Sequence, residues 1–166
     1  MSVGHTVLPD GATESSGGEG AVALPPLLGL AALGAVAMNA ILPALGALQA
    51  AFAASDMQIQ LTLTLFLAGA AIAQLGFGAA SDAWGRRPVL LAAVAIFCTG
   101  SAVAALAFSI EAVALGRLLQ GMGGAACLIL AEAMIADSVR GDAMARRLGY
   151  LNIGMAVAIL VAPVAG

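Results

Sequence analysis

The chain has no lysine, one histidine, two cysteines and six arginines in 166 residues, and only 9% of it is charged. Each scarcity excludes something. With no lysine, and arginines standing singly or in pairs, there is no basic patch to neutralise phosphates, so nucleic acid is not a partner. His5 lies alone near the N-terminus, and Cys98 and Cys127 each sit inside an apolar run with no CxxC spacing. Neither a metal centre nor a disulfide framework follows, and both cysteines read as small buried hydrophobes. No GxxxxGK[ST] stretch is present to cradle nucleotide phosphates, and no Ser, His and Asp set exists for nucleophilic catalysis. An enzyme is not expected, nor a bound nucleotide, and no cofactor is called for.

What remains is apolar. Hydrophobic residues make up 62% of the chain, and a charged content so far below the roughly 25% of soluble domains leaves too little polar surface for a water-soluble fold. Uncharged runs cover residues 20–55, 57–81, 88–110, 118–131 and 148–166. A helix crossing ~30 Å of hydrocarbon needs about 20 such residues. The fold class is therefore an all-α membrane protein. Five spanning helices are expected at about 24–48, 58–80, 88–108, 112–136 and 146–166. Pro25, Pro26 and Pro88 suit first helical turns, where a missing N–H costs nothing. The alternation in LTLTLF at 61–66 suits a strand, but an open strand in lipid leaves its backbone groups unpaired, so helix wins.

Residues 1–22, rich in Gly, Ser, Thr and acids, read as a disordered tail. Arg86 and Arg87 fall between the second and third helices, and Arg140, Arg146 and Arg147 between the fourth and fifth. The positive-inside rule makes both connections, and the N-terminal tail with them, cytoplasmic.

Polar residues inside or beside the apolar runs are the candidate machinery. In GAASDAWGRRPVLL (78–91), Gly78 allows a close backbone approach, Gly85 allows a tight turn, and Asp82 can pair with Arg86, with Arg87 beside it. The bland alternative is that the arginines only fix topology. Arg117 within the fourth helix costs at least ~2.5 kcal/mol to insert. It should face the bundle interior beside Gln120, with Glu132 near the same face, unless it snorkels to the interface. Gly154, Ala158, Ala162 and Gly166 form a stripe of small residues on the fifth helix, a packing seam interrupted by Pro163.

GxxxDxxGRRP between two apolar helices, AVALGRLLQGMGGAA at 112–126 and GMAVAILVAPVAG at 154–166 together resemble the signature motifs of the major facilitator superfamily. NAILPAL at 39–45 and QLTLTLFLAGAAIAQLGFG at 60–78 are most similar to its bicyclomycin-resistance (Bcr/CflA) branch of drug:proton antiporters. The resemblance covers residues 24–166. It implies a twelve-helix transporter of two six-helix halves working by alternating access, of which this chain is the N-terminal part, with helix six and the second half absent. It further implies a bacterial inner-membrane location and a small amphipathic substrate exchanged for protons. Asp82, Arg86 and Asp137 would form a cytoplasmic latch, and Gly154, Ala162, Pro163 and Gly166 the fifth-helix motif. Asn39 stands where the drug antiporters usually carry an aspartate, so it cannot titrate. It would bind substrate, bond to Arg117 or merely pack, leaving Glu132 as the remaining acid for proton coupling. The competing expectation is a non-transporting remnant that acts by packing its exposed small-residue stripe against a partner bundle.

Overall fold

The computed structural model describes residues 24–139 and 141–165. The expected tail (1–22), Arg140 and Gly166 lie outside the described residues. Among the described residues there are helices and no strand. They are α1 (Leu24–Ala40), a 3-10 turn (Leu42–Ala44), α2 (Leu45–Phe52), α3 (Asp56–Trp84), α4 (Arg86–Ala105), α5 (Ile110–Ser138) and α6 (Asp142–Ala165).

The helix ends have local causes. Ser55 opens α3 with a reciprocal capping box: Gln58 N–H donates to Ser55 Oγ at 3.3 Å, and Ser55 N–H donates to Gln58 Oε1 at 2.9 Å. Ser109 caps α5 by accepting from Ala112 N–H at 3.3 Å. Gly85 both ends α3 and precedes α4 at φ 90°, a backbone conformation that a side chain would strain. Within 61–66 the helix holds, and Thr62 and Thr64 donate their hydroxyls to the carbonyls of Ile59 and Gln60, so neither is unsatisfied in an apolar setting.

Among the described residues, four stretches are long and apolar enough to cross a membrane: Pro25–Phe52, Asp56–Trp84, Arg86–Ala105 and Ile110–Ser138. Their outward faces are greasy. Leu75 is 86% exposed and Leu91 70%, a surface that lipid covers and water would not tolerate.

The helix expected at 24–48 is not continuous. α1 stops at Ala40, and the chain turns through Leu42–Ala44 before α2. Pro43 is the cause: it has no N–H for the Asn39 carbonyl one turn back, and its ring crowds that carbonyl.

α5 is the central helix, with α1, α3 and α4 around it. Its glycines let backbones touch. A methyl on Gly121 would collide with the Phe66 carbonyl of α3, and one on Gly69 of α3 with the Leu118 carbonyl of α5. On the α4 side, a methyl on Gly116 would lie only 2.8 Å from the backbone of Gly100 and Ala104, and one on Gly123 would crowd Ala93 and Phe97. Gly34 of α1 meets Gly124. Close backbone approach gives the dispersion contact that joins helices in lipid.

Three expectations about packing need correction. Gly78 has nothing within 4 Å of where its side chain would begin, so no backbone approaches it here. A methyl on Gly154 of α6 would lie 3.2 Å from the Leu28 side chain of α1, so the α6 stripe is covered at that point, not exposed. Cys127 is fully buried, but Cys98 lies on the exposed side of α4. α6 is helical through Ala162 and Pro163 to Ala165.

Candidate functional site

Two polar constellations stand out against the apolar bundle. The first is at the end where α3, α4 and α5 meet. Gly85 turns the chain so that Arg86 starts α4 directly beside the last turn of α3. Arg86 Nη2 pairs with Asp82 Oδ1 at 3.1 Å, and Nε donates to Asp137 Oδ2 at 3.0 Å. Nη1 donates to Ser81 Oγ, and Ser81 in turn donates to the Gly78 carbonyl at 2.7 Å. Every nitrogen of this guanidinium is used, and one side chain ties the ends of three helices. The carboxylates are well exposed, Asp82 at 69% and Asp137 at 60%, so each ion pair contributes at most about 1 kcal/mol. Arg87 is exposed beside it, and Arg147 of α6 reaches Ser138 Oγ at 3.4 Å. Ser81, buried at 2% exposure, went unnoticed in the sequence. Its position one residue before Asp82, and five before Arg86, was the available signal.

The second constellation lies deep in the bundle. Arg117 is 3% exposed, so it does not snorkel. Its Nη1 donates to the Ala37 carbonyl of α1 and to Gln120 Oε1, both at 2.9 Å. Gln120 passes the chain on, donating to Ser101 Oγ of α4 at 2.9 Å, and Ser101 donates to the Phe97 carbonyl at 3.0 Å. The Phe66 ring of α3 lies over the guanidinium, 4.5 Å from centroid to Cζ, a cation–π contact. Arg117 Nε and Nη2 are buried with no hydrogen-bond partner among the described residues. Phe66 and Ser101 were missed because nothing at their sequence positions indicates that they converge on one residue. A hydroxyl in an apolar run was the only hint for Ser101.

Not every candidate converges. Asn39 donates its amide to the Ala35 carbonyl of its own helix at 2.8 Å and makes no bond to Arg117, which takes the main chain at Ala37 instead. Glu132 is exposed and borders a depression of about 430 Å³ between α5 and α6 with Met144, Leu148 and Asn152. Fifteen residues of helix separate it from Arg117, roughly 22 Å at ~1.5 Å per residue. The shared helix face expected for both residues therefore does not bring them together. A smaller cavity of about 260 Å³ lies between α1, α3 and α5, bounded by Met38, Phe66, Gln74, Gly121 and Leu128.

A family profile described as Major Facilitator Superfamily matches residues 27–166. The chain is 37% identical over 150 residues to the uncharacterized MFS-type transporter YdgK of Bacillus subtilis, covering 90% of this chain and 37% of that protein. It is 30% identical over 112 residues to a bicyclomycin resistance protein homolog of Haemophilus influenzae, covering 68% and 28%. It is 31% identical over 113 residues to the multidrug resistance protein MdtL of Citrobacter koseri, covering 68% and 29%. The matched region thus spans about a third of each curated relative.

Proposed function

Because the chain belongs to the major facilitator superfamily, whose members are membrane transporters and not enzymes, we propose that it supplies helices of one half of a secondary exporter of small amphipathic compounds. The observation that carries this reading is Arg117: a permanently charged group held inside an apolar helix bundle, linked to Gln120 and Ser101. Such a residue is expensive to insert, and inside a transporter bundle a substrate or proton pathway accounts for its presence. Resistance proteins among the relatives support efflux of several compounds as the activity. The second half of the pathway comes from outside these residues, since sites of this kind form between repeats near the bilayer midplane.

On this proposal the Arg86 end faces the cytoplasm of an inner-membrane protein, and the Arg86–Asp82–Asp137 cluster latches that end shut in the outward-facing state. Counter-transported protons drive the cycle, with Glu132 as their carrier in place of Asn39. The test is accumulation of amphipathic fluorescent dyes, anionic and cationic, in efflux-deficient bacteria expressing the complete polypeptide. Lower accumulation than in vector controls, reversed on collapsing the proton gradient, is expected. Equal accumulation across a panel of amphipathic dyes of both charges would sink the exporter reading.

A further inference from the structure

We infer that the unpaired edge of Arg117 receives the anionic group of the transported compound, so that this site favours amphipathic carboxylates over cations. The inference rests on the transporter reading above and names its substrate class. A guanidinium cannot lose its charge, and it offers five N–H donors in a fixed plane. Here Nη1 is engaged by Ala37 and Gln120, while Nε and Nη2 are buried and unpartnered. Those two nitrogens form one edge, with parallel N–H bonds, which is the fork that takes a carboxylate in bidentate fashion.

Among the acids whose side chains are described, none neutralises it. Asp82 and Asp137 are held on Arg86. Asp56 accepts from Gln49 and Glu111 from Gln58 at the opposite end of the bundle, and Glu132 lies exposed roughly 22 Å along α5. Asn39, the nearest polar side chain on α1, is bound to its own helix. A buried, uncompensated cation attracts an anion strongly, because little water screens it.

Space for the rest of such a molecule adjoins the charge. The cavity of about 260 Å³ shares Phe66 with the guanidinium, includes Gly121 one turn after Arg117, and includes Met38 beside Ala37. Its walls are apolar apart from Gln74. An aromatic or alicyclic body fits such walls, with its carboxylate directed at Nε and Nη2 once the Phe66 ring shifts.

The test uses two probes with the same ring and opposite charge, 1-naphthoate and 1-naphthylmethylammonium, on the complete polypeptide in proteoliposomes. Saturable naphthoate uptake is expected, with a preference over the cation. Arg117→Gln should weaken naphthoate by at least about tenfold, and Arg117→Lys, which keeps charge without the fork, should fall between. Naphthoate should also raise the melting temperature of the purified protein, and this shift should vanish in the Gln variant. If Arg117→Gln does not fold, the Lys variant decides by the same ordering. Preference for the cation, or naphthoate uptake indifferent to both substitutions, overturns the inference and assigns the free edge to a carboxylate side chain from elsewhere in the transporter. Transport of neither probe nor of any dye overturns the exporter reading itself.

Discussion

Arg117 on α5 donates to the main-chain carbonyl of Ala37 on α1, 2.9 Å away and 80 positions distant in sequence. Ala37 lies in the last turn of α1, where the carbonyl end of the helix dipole is negative and favours a cation. α1 ends there because Pro43 cannot continue the ladder. A local sequence event on one helix therefore creates a receptor for a buried charge on another.

On the proposed reading, that charge serves transport at the expense of stability. Arg117→Met keeps much of the volume and removes a cation with two unsatisfied nitrogens. Replacing buried ionic groups by apolar ones of similar size is often neutral or stabilising, by about 1–4 kcal/mol. Thermal unfolding in detergent should show a melting temperature equal to or above wild type, while transport is lost. A large drop in melting temperature would mean that the bonds to Ala37 and Gln120 outweigh the cost of burial.

The glycines should divide sharply by what surrounds them. Gly121→Ala drives a methyl into the Phe66 carbonyl, and Gly69→Ala into that of Leu118, so each should destabilise by about 1–3 kcal/mol through forced backbone separation. Gly29→Ala, Gly76→Ala and Gly78→Ala meet nothing within 4 Å and should leave the melting temperature unchanged or slightly raised. Gly85→Ala also finds room, but at φ 90° it should cost about 1 kcal/mol or more. A melting series over these six variants checks the division.

This division also marks what could be read from the sequence. Four of the five expected spans match stretches long and apolar enough to cross a membrane among the described residues, and their rough placement followed from run length against bilayer thickness, which needs no tertiary information. The helix contacts did not follow. The small-residue period on α6 drew attention as the seam, whereas α5 carries the close contacts through Gly116, Gly121, Gly123 and Gly124, which do not repeat every four residues. Those glycines serve three different neighbours, so no single period connects them. Arg117 stood out because a charge within an apolar run is costly anywhere. Its partners did not, since Phe66 resembles any core aromatic and a carbonyl acceptor has no sequence signature.

The Arg86 cluster makes a measurable but small contribution. A double-mutant cycle on Arg86→Gln and Asp137→Asn should give a coupling of about 0.5–1 kcal/mol, reduced by added salt because both carboxylates are exposed. In the complete transporter, either single substitution should shift the inward–outward equilibrium, read by site-directed spin labels across the α3–α4 connection. Equal label distances in wild type and variants would show that the cluster is only structural.

Orientation has its own test. With Cys98 and Cys127 replaced by alanine, Ala83→Cys at the Arg86 end and Met57→Cys at the Ser55 end are both exposed positions. A membrane-impermeant maleimide should label Cys at 57 in intact spheroplasts and Cys at 83 only in inverted vesicles, as the distribution of arginines demands. The reverse pattern would place the latch on the outer face.

Proton coupling separates Asn39 from Glu132. Asn39 has no titratable proton and its amide is engaged by Ala35, so any carrier in the described residues must be sought elsewhere. Glu132 is the acid set within α5 away from both helix ends, and it borders the α5–α6 depression, where protons can reach it from the Arg86 end. Glu132→Gln should therefore abolish acceleration of efflux by an imposed pH gradient while leaving downhill exchange of substrate intact. Asn39→Asp in the same background should restore the acceleration, because it places a carboxylate at a partly buried position of α1, two residues from the Ala37 carbonyl that Arg117 binds. If Glu132→Gln keeps its full response to the gradient, Glu132 is a solvated surface acid and not the carrier.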